Sequence, residues 1–138
     1  ARGLVSGLTR GSSLAQLARA SIDSIAYQVR DVFEAMQSSA GGALSVLMVD
    51  GGPTRNEQLM QFQADIIGVP VQRNDTAELS AMGAAYLAGL ATGVWSSTDE
   101  LAALPRSIKR FEPAMDAAER DRLVAGWQDA VARTTLHP

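Results

Sequence analysis

The first third of the chain carries a long run of apolar residues spaced three or four positions apart. They are Leu14, Ala18, Ile22, Ile25, Val29, Val32 and Met36. This spacing places them on one face of a helix, as is typical of an amphipathic helix. Ser13 together with Gln16 predicts a capping box at the start of this helix. The helix is expected to run to about Ser38, and the Gly41-Gly42 pair ends it.

The hydrophobic pattern changes period twice between residues 46 and 72. Residues 46–49 form a continuous apolar run, which predicts a short strand covered on both faces. Residues 55–67 return to helical spacing, and Gly68 followed by Pro70 predicts the end of that helix. Residues 69–72 predict a second strand. A strand, helix and strand of this length favour parallel pairing and therefore an α/β fold.

The third predicted helix covers residues 78–93 and is rich in alanine and glycine. Gly83 and Gly89 lower its helix propensity but allow another group to approach closely. That group is either a neighbouring part of the protein core or a ligand, and packing is the favoured interpretation.

The ends of the chain carry weaker signals. Residues 4–8 predict a short strand, and residues 97–99 predict the cap of a short helix. Asp116 with Glu119 predicts a capping box before a final helix. That helix places three apolar side chains on one face, namely Leu123, Trp127 and Val131.

Composition and charge exclude several kinds of site. A chain of 138 residues that is 46% hydrophobic with a net charge of −3 fits one globular domain without a basic surface for nucleic acid or anionic membranes. There is no cysteine, and His137 is the single histidine, which argues against a histidine-based triad or a zinc site. The small-residue stretch 83–95 is too short to span a bilayer.

The acidic residues of the first helix give no sign of catalysis. Asp23, Asp31 and Glu34 are interpreted as part of a solvated charged face. No pair of carboxylates is spaced as acid–base chemistry requires. Composition and spacing therefore do not identify a reaction.

The turn between the first strand and the second helix is the candidate binding site. Gly51 and Gly52 admit unusual backbone angles and let a ligand touch the main chain. The helix N-terminus beyond them offers free N–H groups to a phosphate or to the edge of a base. Asn56 could bond a nucleobase or ribose, and Asp50 could help to arrange the site or assist the binding of metal and water. The phosphate-loop and dinucleotide fingerprints are both missing, so a tight connection, a capping Asn56 and an Asp50 bonded to its own turn remain alternatives.

Five segments of the chain resemble one known family, in the order in which the family has them. They read RGLVSGLTRG, SIAYQVRDVFEAM, VDGGPTRNEQLMQFQADIIGVPV, SAMGAAYLAGLATGVW and AGWQDAV. Together they look like the carboxy-terminal lobe of the FGGY carbohydrate kinases, and among these they are most similar to the glycerol kinases. Residues 1–138 are therefore expected to be a fragment of a longer enzyme with two lobes.

The resemblance implies a fold and a set of ligands. It implies an actin-like, ribonuclease H-like α/β lobe, with a mixed sheet packed against helices. It implies ATP or ADP bound in a cleft between two lobes, Mg²⁺ on the phosphates and a small polyol held by the other lobe. The family's nucleotide contacts correspond to Gly52 and Asn56, with Asp50 and Gly51 in the same turn. The family's catalytic aspartate and phosphate-binding loop lie outside this chain, so the fragment alone is expected to be inactive.

The sequence departs from the glycerol kinase pattern at two places beside this turn. Residues 53–55 replace small apolar residues, and Glu57 stands where a second asparagine is common. The alternatives are another FGGY sugar kinase, such as a xylulokinase, or a non-catalytic actin-like module for assembly or nucleotide sensing. The resemblance further implies a cytoplasmic enzyme that forms homo-oligomers.

Overall fold

A computed structural model describes residues 3–74 and 79–135. In chain order the described elements are α1 (Leu14–Ala40), β1 (Leu47–Val49), a short 3-10 helix (Gly52–Arg55), α2 (Glu57–Ile67), β2 (Val71–Asn74), α3 (Leu79–Thr92), α4 (Thr98–Ala102), β3 (Ile108–Phe111) and α5 (Ala117–Thr135). His137 and Glu78 lie outside the described residues. No helix in the described ranges is long and apolar enough to cross a membrane.

The three strands form one mixed sheet in the order β1-β2-β3. β1 and β2 are parallel, as predicted, and Leu47 lies beside Val71. β3 is antiparallel to β2 and places Phe111 on the other side of Val71. The sequence pattern did not indicate β3. The strand predicted at residues 4–8 is wrong, because that segment is exposed and pairs with no other described strand.

α1 begins and ends where the sequence predicts, but it packs through a different face. The Ser13–Gln16 capping box is present, and Gly41 ends the helix in the left-handed conformation. The buried residues of α1 are Ala26 and Phe33. By contrast, most of the predicted apolar stripe is exposed, namely Leu14, Ala18, Ile22, Ile25, Val32 and Met36. α2 covers only one side of α1, so the stripe lies on the uncovered side.

The core lies between α1, α2, the sheet and α5. Its buried side chains are Ala26, Leu59, Met60, Phe62, Ala64, Ile66, Val71, Phe111 and Val124. Gln63 is 2% exposed and donates from Nε2 to the Ala26 carbonyl oxygen at 3.1 Å, so it joins α2 to α1 without leaving its amide nitrogen unbonded.

α5 is attached to α1 by an aromatic stack. The rings of Tyr27 and Trp127 lie 5.2 Å apart and nearly parallel, at 8°. The Trp127 indole N–H donates to Asp31 Oδ2 at 2.8 Å. Asp31 is exposed, as predicted, but it also fixes the position of α5, which the sequence interpretation missed. Burial, followed by the nearby Asp23 carboxylate, raises the pKa of Tyr27 above 10.0.

The predicted caps of the later helices are largely present. Ser97 accepts from the Glu100 amide at the start of α4, as predicted. Asp116 accepts from the Ala118 amide at 2.8 Å before α5. The Glu119 carboxylate bonds the Arg122 guanidinium instead of the Asp116 amide, so the capping box predicted before α5 is wrong, although Asp116 still caps the helix.

Candidate functional site

The turn after β1 presents its main chain to solvent. Asp50, Gly51 and Gly52 are all exposed, and Gly51 has φ of +94°. Such an angle strains any residue with a side chain, which explains why glycine stands there. A Cβ added to Gly51 or Gly52 would meet no atom within 4 Å. The space in front of both glycines is therefore open to a ligand.

Internal hydrogen bonds hold the turn in shape. The Thr54 amide and hydroxyl both donate to the Gly51 carbonyl oxygen, at 3.2 and 2.7 Å. Thr54 is 8% exposed, so this part of the turn faces the protein interior. Asp50 receives no hydrogen bond from the turn within the described part of the chain. The carboxylate of Asp50 therefore does not stabilise the turn.

Asn56 is the N-cap of α2, one position before the helix proper. Its Oδ1 accepts from the Leu59 amide at 3.1 Å, which realises the capping alternative. The side chain is nevertheless exposed. Oδ1 is engaged in the cap, whereas Nδ2 can donate a hydrogen bond to a ligand. The cap and a ligand contact are therefore compatible.

The N-terminus of α2 adds a positive partial charge beside the glycines. Its first amides have no carbonyl partner within the helix, as in every α-helix. The Asn56 amide is already bonded to the Pro53 carbonyl at 3.1 Å. The site therefore combines bare backbone, helix N–H groups and one side-chain amide, which suits a polar or anionic ligand.

Two basic side chains from the sheet reach this turn, and the sequence analysis named neither. Arg73 on β2 donates from Nη1 to the Thr54 carbonyl oxygen at 2.9 Å. Lys109 on β3 forms an ion pair with Glu57 in the first turn of α2. In the sequence, Arg73 and Lys109 are basic residues two positions from Val71 and Phe111, so each lies on the core-facing side of its strand. This placement can be recognised only when β3 and the strand register are known.

An open cavity of about 270 Å³ lies on the opposite face of the sheet and reaches the turn at Asp50. Met48, Gln72, Arg106 and Ile108 contribute to its lining. Gly52 and Asn56 do not line it, so this cavity and the glycine turn are neighbouring but separate features.

No metal centre is formed by the residues described. Within residues 3–74 and 79–135, no group of three or more His, Cys, Asp or Glu side chains could hold a metal ion. The described residues therefore provide no Mg²⁺ site of their own, whereas the glycine turn exposes main-chain groups.

Residues 1–92 match the model of the FGGY family of carbohydrate kinases, C-terminal domain. The chain is 53% identical over 134 residues to a glycerol kinase of Solidesulfovibrio magneticus and 56% identical over 133 residues to one of Symbiobacterium thermophilum. These matches cover 97% and 96% of this chain but 27% of each relative. The chain thus spans about a quarter of the length of these relatives.

Solved structures give the same result. The crystal structure of Plasmodium falciparum glycerol kinase with ADP superposes with a TM-score of 0.84 at 34% identity, over 96% of this chain and 27% of that one. The xylulose kinase of Rhodospirillum rubrum superposes with a TM-score of 0.76 at 30% identity, over 100% of this chain and 28% of that one. These superpositions confirm the predicted actin-like, ribonuclease H-like α/β lobe with its mixed sheet.

Proposed function

This chain belongs to the FGGY family of carbohydrate kinases, and we propose that it forms the nucleotide-binding lobe of an ATP-dependent glycerol kinase. The observation that carries the substrate choice is the identity of 53–56% to glycerol kinases over nearly the whole chain. The identity to the xylulose kinase of Rhodospirillum rubrum is 30% over a similar length. The intact enzyme would convert ATP and glycerol to ADP and glycerol 3-phosphate.

In this proposal the glycine turn binds the adenine end of ATP or ADP. Gly52 lets the main chain lie against the nucleotide, because no side chain occupies the space in front of it. Asn56 donates a hydrogen bond from Nδ2 while its Oδ1 caps α2. Gly51 shapes the same turn and the exposed Asp50 borders it, and both have a lesser role.

The chemical step belongs to residues outside this chain. The bond between the γ-phosphorus and its bridging oxygen breaks, and a bond from that phosphorus to a glycerol oxygen forms. The hydroxyl proton passes to a base in the remainder of the enzyme, which also binds the polyol. Mg²⁺, when bound, neutralises phosphate charge, as in other phosphoryl transfers. This lobe contributes binding and orientation of the nucleotide.

Two finer points complete the proposal. Reaction with ATP favours a cytoplasmic enzyme. The exposed apolar side chains of α1, such as Ile25 at 41% and Val32 at 60%, favour burial against other protein surface in a homo-oligomeric two-lobe enzyme.

A substrate panel on the intact polypeptide that contains this lobe tests the proposal. With ATP as donor, we expect glycerol to be phosphorylated with the highest kcat/KM. Preferential phosphorylation of xylulose would favour the second candidate function, that of a xylulokinase. This candidate is supported by the superposition of 100% of this chain on the xylulose kinase of Rhodospirillum rubrum. Absence of transfer to any polyol or sugar would contradict the kinase function.

Asn56→Ser tests the nucleotide contact separately from the cap. Serine is also a good N-cap, so α2 keeps its first hydrogen bond, but the Nδ2 donor is lost. Removing one such bond raises the ATP KM about 2- to 12-fold with little change in kcat. Steady-state kinetics with varied ATP measure this effect, and thermal unfolding checks that the cap is retained.

Asn56→Asp is the matched variant, because aspartate caps as well as asparagine but accepts only. Its charge beside the nucleotide should raise the ATP KM further than Asn56→Ser does. Wild-type ATP KM in both variants would reduce Asn56 to a helix cap.

A further inference from the structure

Two cations from neighbouring strands lie beneath the glycine turn. Arg73 and Lys109 are register partners in β2 and β3, so their side chains share one face of the sheet. That face also carries Val71 and Phe111, which are buried against the core. Arg73 bonds Thr54 in the segment that connects β1 to α2, and Lys109 bonds Glu57 at the start of α2.

Arg73 is connected to the exposed glycines through Thr54. Its guanidinium donates to the Thr54 carbonyl oxygen at 2.9 Å, and the Thr54 hydroxyl donates to the Gly51 carbonyl oxygen at 2.7 Å. Thr54 is buried while Gly51 and Gly52 are exposed. Arg73 therefore holds the turn from its interior side and does not compete with a ligand for the exposed side.

The neighbourhood of Arg73 favours a fixed guanidinium. Its Cζ lies 6.0 Å from the centre of the Phe111 ring, within the range of a cation–π contact. A hydrogen bond from a charged donor is stronger than a neutral one, and the planar guanidinium fixes its direction. The contact joins residues 19 positions apart, so it ties the turn to the sheet.

We propose that Arg73 is a positioning residue for nucleotide binding, which it serves by fixing the main chain of residues 51–56 from beneath. Lys109 holds the first turn of α2, next to this segment, through Glu57 and has a smaller effect. A turn that is ordered before binding loses less freedom when the nucleotide arrives, and affinity rises accordingly. This inference rests on the proposed binding of ATP at the turn.

Arg73→Met in the intact kinase is the principal test. Methionine keeps the apolar stem and removes every donor. We expect the ATP KM to rise about 5- to 30-fold, while kcat and the glycerol KM stay within about twofold, because the bond to Thr54 orders the nucleotide turn. Amide hydrogen exchange should accelerate at Gly52 and at residues 54–56 in the absence of nucleotide.

Arg73→Lys is the conservative variant. It keeps the charge and one possible donor but lacks the planar fork, so an intermediate rise of about two- to fivefold in ATP KM is expected. If Arg73→Met does not accumulate as folded protein, this variant decides. Wild-type ATP KM together with wild-type amide exchange in Arg73→Lys would then overturn the proposal.

Arg110→Met is the matched control. It removes the same charge from β3, but Arg110 is the register partner of Gln72 on the opposite face of the sheet and pairs with Glu112. We expect its ATP KM to equal that of the wild type. An equal rise in Arg110→Met and Arg73→Met would show a general charge effect and overturn the positioning role.

Failure of this inference can be distinguished from failure of the proposed function. If the wild-type enzyme neither binds ADP nor transfers phosphate from ATP, the proposed function fails. If the wild type does both while Arg73→Met keeps wild-type ATP KM, only the positioning role of Arg73 fails. A uniform drop in kcat with both KM values unchanged would indicate a smaller folded fraction and would also overturn the positioning role.

Discussion

The helices α2 and α3 each follow a strand of the same sheet, yet they are covered to very different degrees. α2 buries six of its residues and is capped at both ends, by Asn56 and Gly68. In addition, its Asp65 accepts hydrogen bonds from the amides of Ala114 and Met115 at 2.7 and 3.2 Å. In α3 the one buried residue among Leu79–Thr92 is Gly89.

The composition of α3 makes this exposure unusual. No charged residue occurs from Leu79 to Thr98, and apolar residues lie on all sides of the helix. Such a helix is typical of one surrounded by protein. Leu87 is nevertheless 70% exposed. Residues 3–74 and 79–135 thus bury α2 but leave most of α3 exposed, which agrees with a chain that covers 27% of its relatives.

Truncation of one large side chain in each helix should give the largest contrast. Ile66 in α2 is 0% exposed, whereas Leu87 in α3 is 70% exposed. We expect Ile66→Ala to lower the free energy of unfolding by about 2–5 kcal/mol, because it leaves a cavity in the core. Leu87→Ala should change it by less than about 0.5 kcal/mol. Urea denaturation of the 138-residue chain, followed by circular dichroism, measures both.

In the intact kinase the same pair tests whether other protein surface covers α3. If it does, Leu87→Ala should become destabilising there while remaining neutral in the 138-residue chain. A loss of about 2 kcal/mol for Leu87→Ala in the 138-residue chain itself would break the comparison, since α3 would then be packed without further protein.

Two glycines within α3 should respond with opposite signs. A Cβ at Gly89 would overlap the Trp95 ring, whereas a Cβ at Gly83 would meet nothing within 4 Å. Gly89→Ala should therefore lower the free energy of unfolding by about 1–3 kcal/mol through overpacking. Gly83→Ala should raise it by about 0.5–1 kcal/mol through better helix propensity. Urea denaturation gives both values, and Trp95 fluorescence reports displacement of the ring.

The packing interpretation of the α3 glycines depends on this pair. It is supported at Gly89, which lies against Trp95 while the Trp95 ring meets Tyr86 edge-on at 5.3 Å. Stabilisation by both substitutions would mean that the Trp95 ring yields without cost, and the close approach at Gly89 would then have no structural importance.

Local signals in the sequence predicted the elements around α2 well. The Ser13–Gln16 box and the left-handed glycines Gly41 and Gly68 act within one helical turn, so their effect is readable from neighbouring residues. The parallel pairing of β1 and β2 followed from the length of the connection between them.

Features that depend on distant partners were not predictable in the same way. β3 has two charged residues among four and becomes a strand by pairing with β2. The buried face of α1 is selected by α2, which covers Ala26 rather than the apolar stripe that includes Ile25.

The candidate site shows the same division. The exposed turn at Gly51 and Gly52 and the adjacent Asn56 could be proposed from local chemistry. Arg73 could not, because its bond to Thr54 bridges 19 positions and requires the sheet register to be known.

The smallest expected effect concerns how the chain is fixed after each helix. Gly68 after α2 and Gly93 after α3 are both left-handed and do not titrate. The difference lies further along the chain, where Ser96 donates to the Glu100 carboxylate through its amide at 2.8 Å and its hydroxyl at 2.9 Å. These bonds, that of the amide first, hold the pKa of Glu100 below its ordinary value of 4.5. Because the folded-state pKa is lowered, the stabilisation is present above pH 4.5 and is lost as the pH falls through the folded-state pKa.

We expect amide exchange at Ser96, corrected for intrinsic pH dependence, to lose protection on acidification, while exchange at Gly68 keeps it. Glu100→Gln, which still accepts a hydrogen bond but does not titrate, should abolish the pH dependence at Ser96. Equal loss of protection at Ser96 and Gly68 would instead indicate global acid unfolding, and the two ends would then not differ.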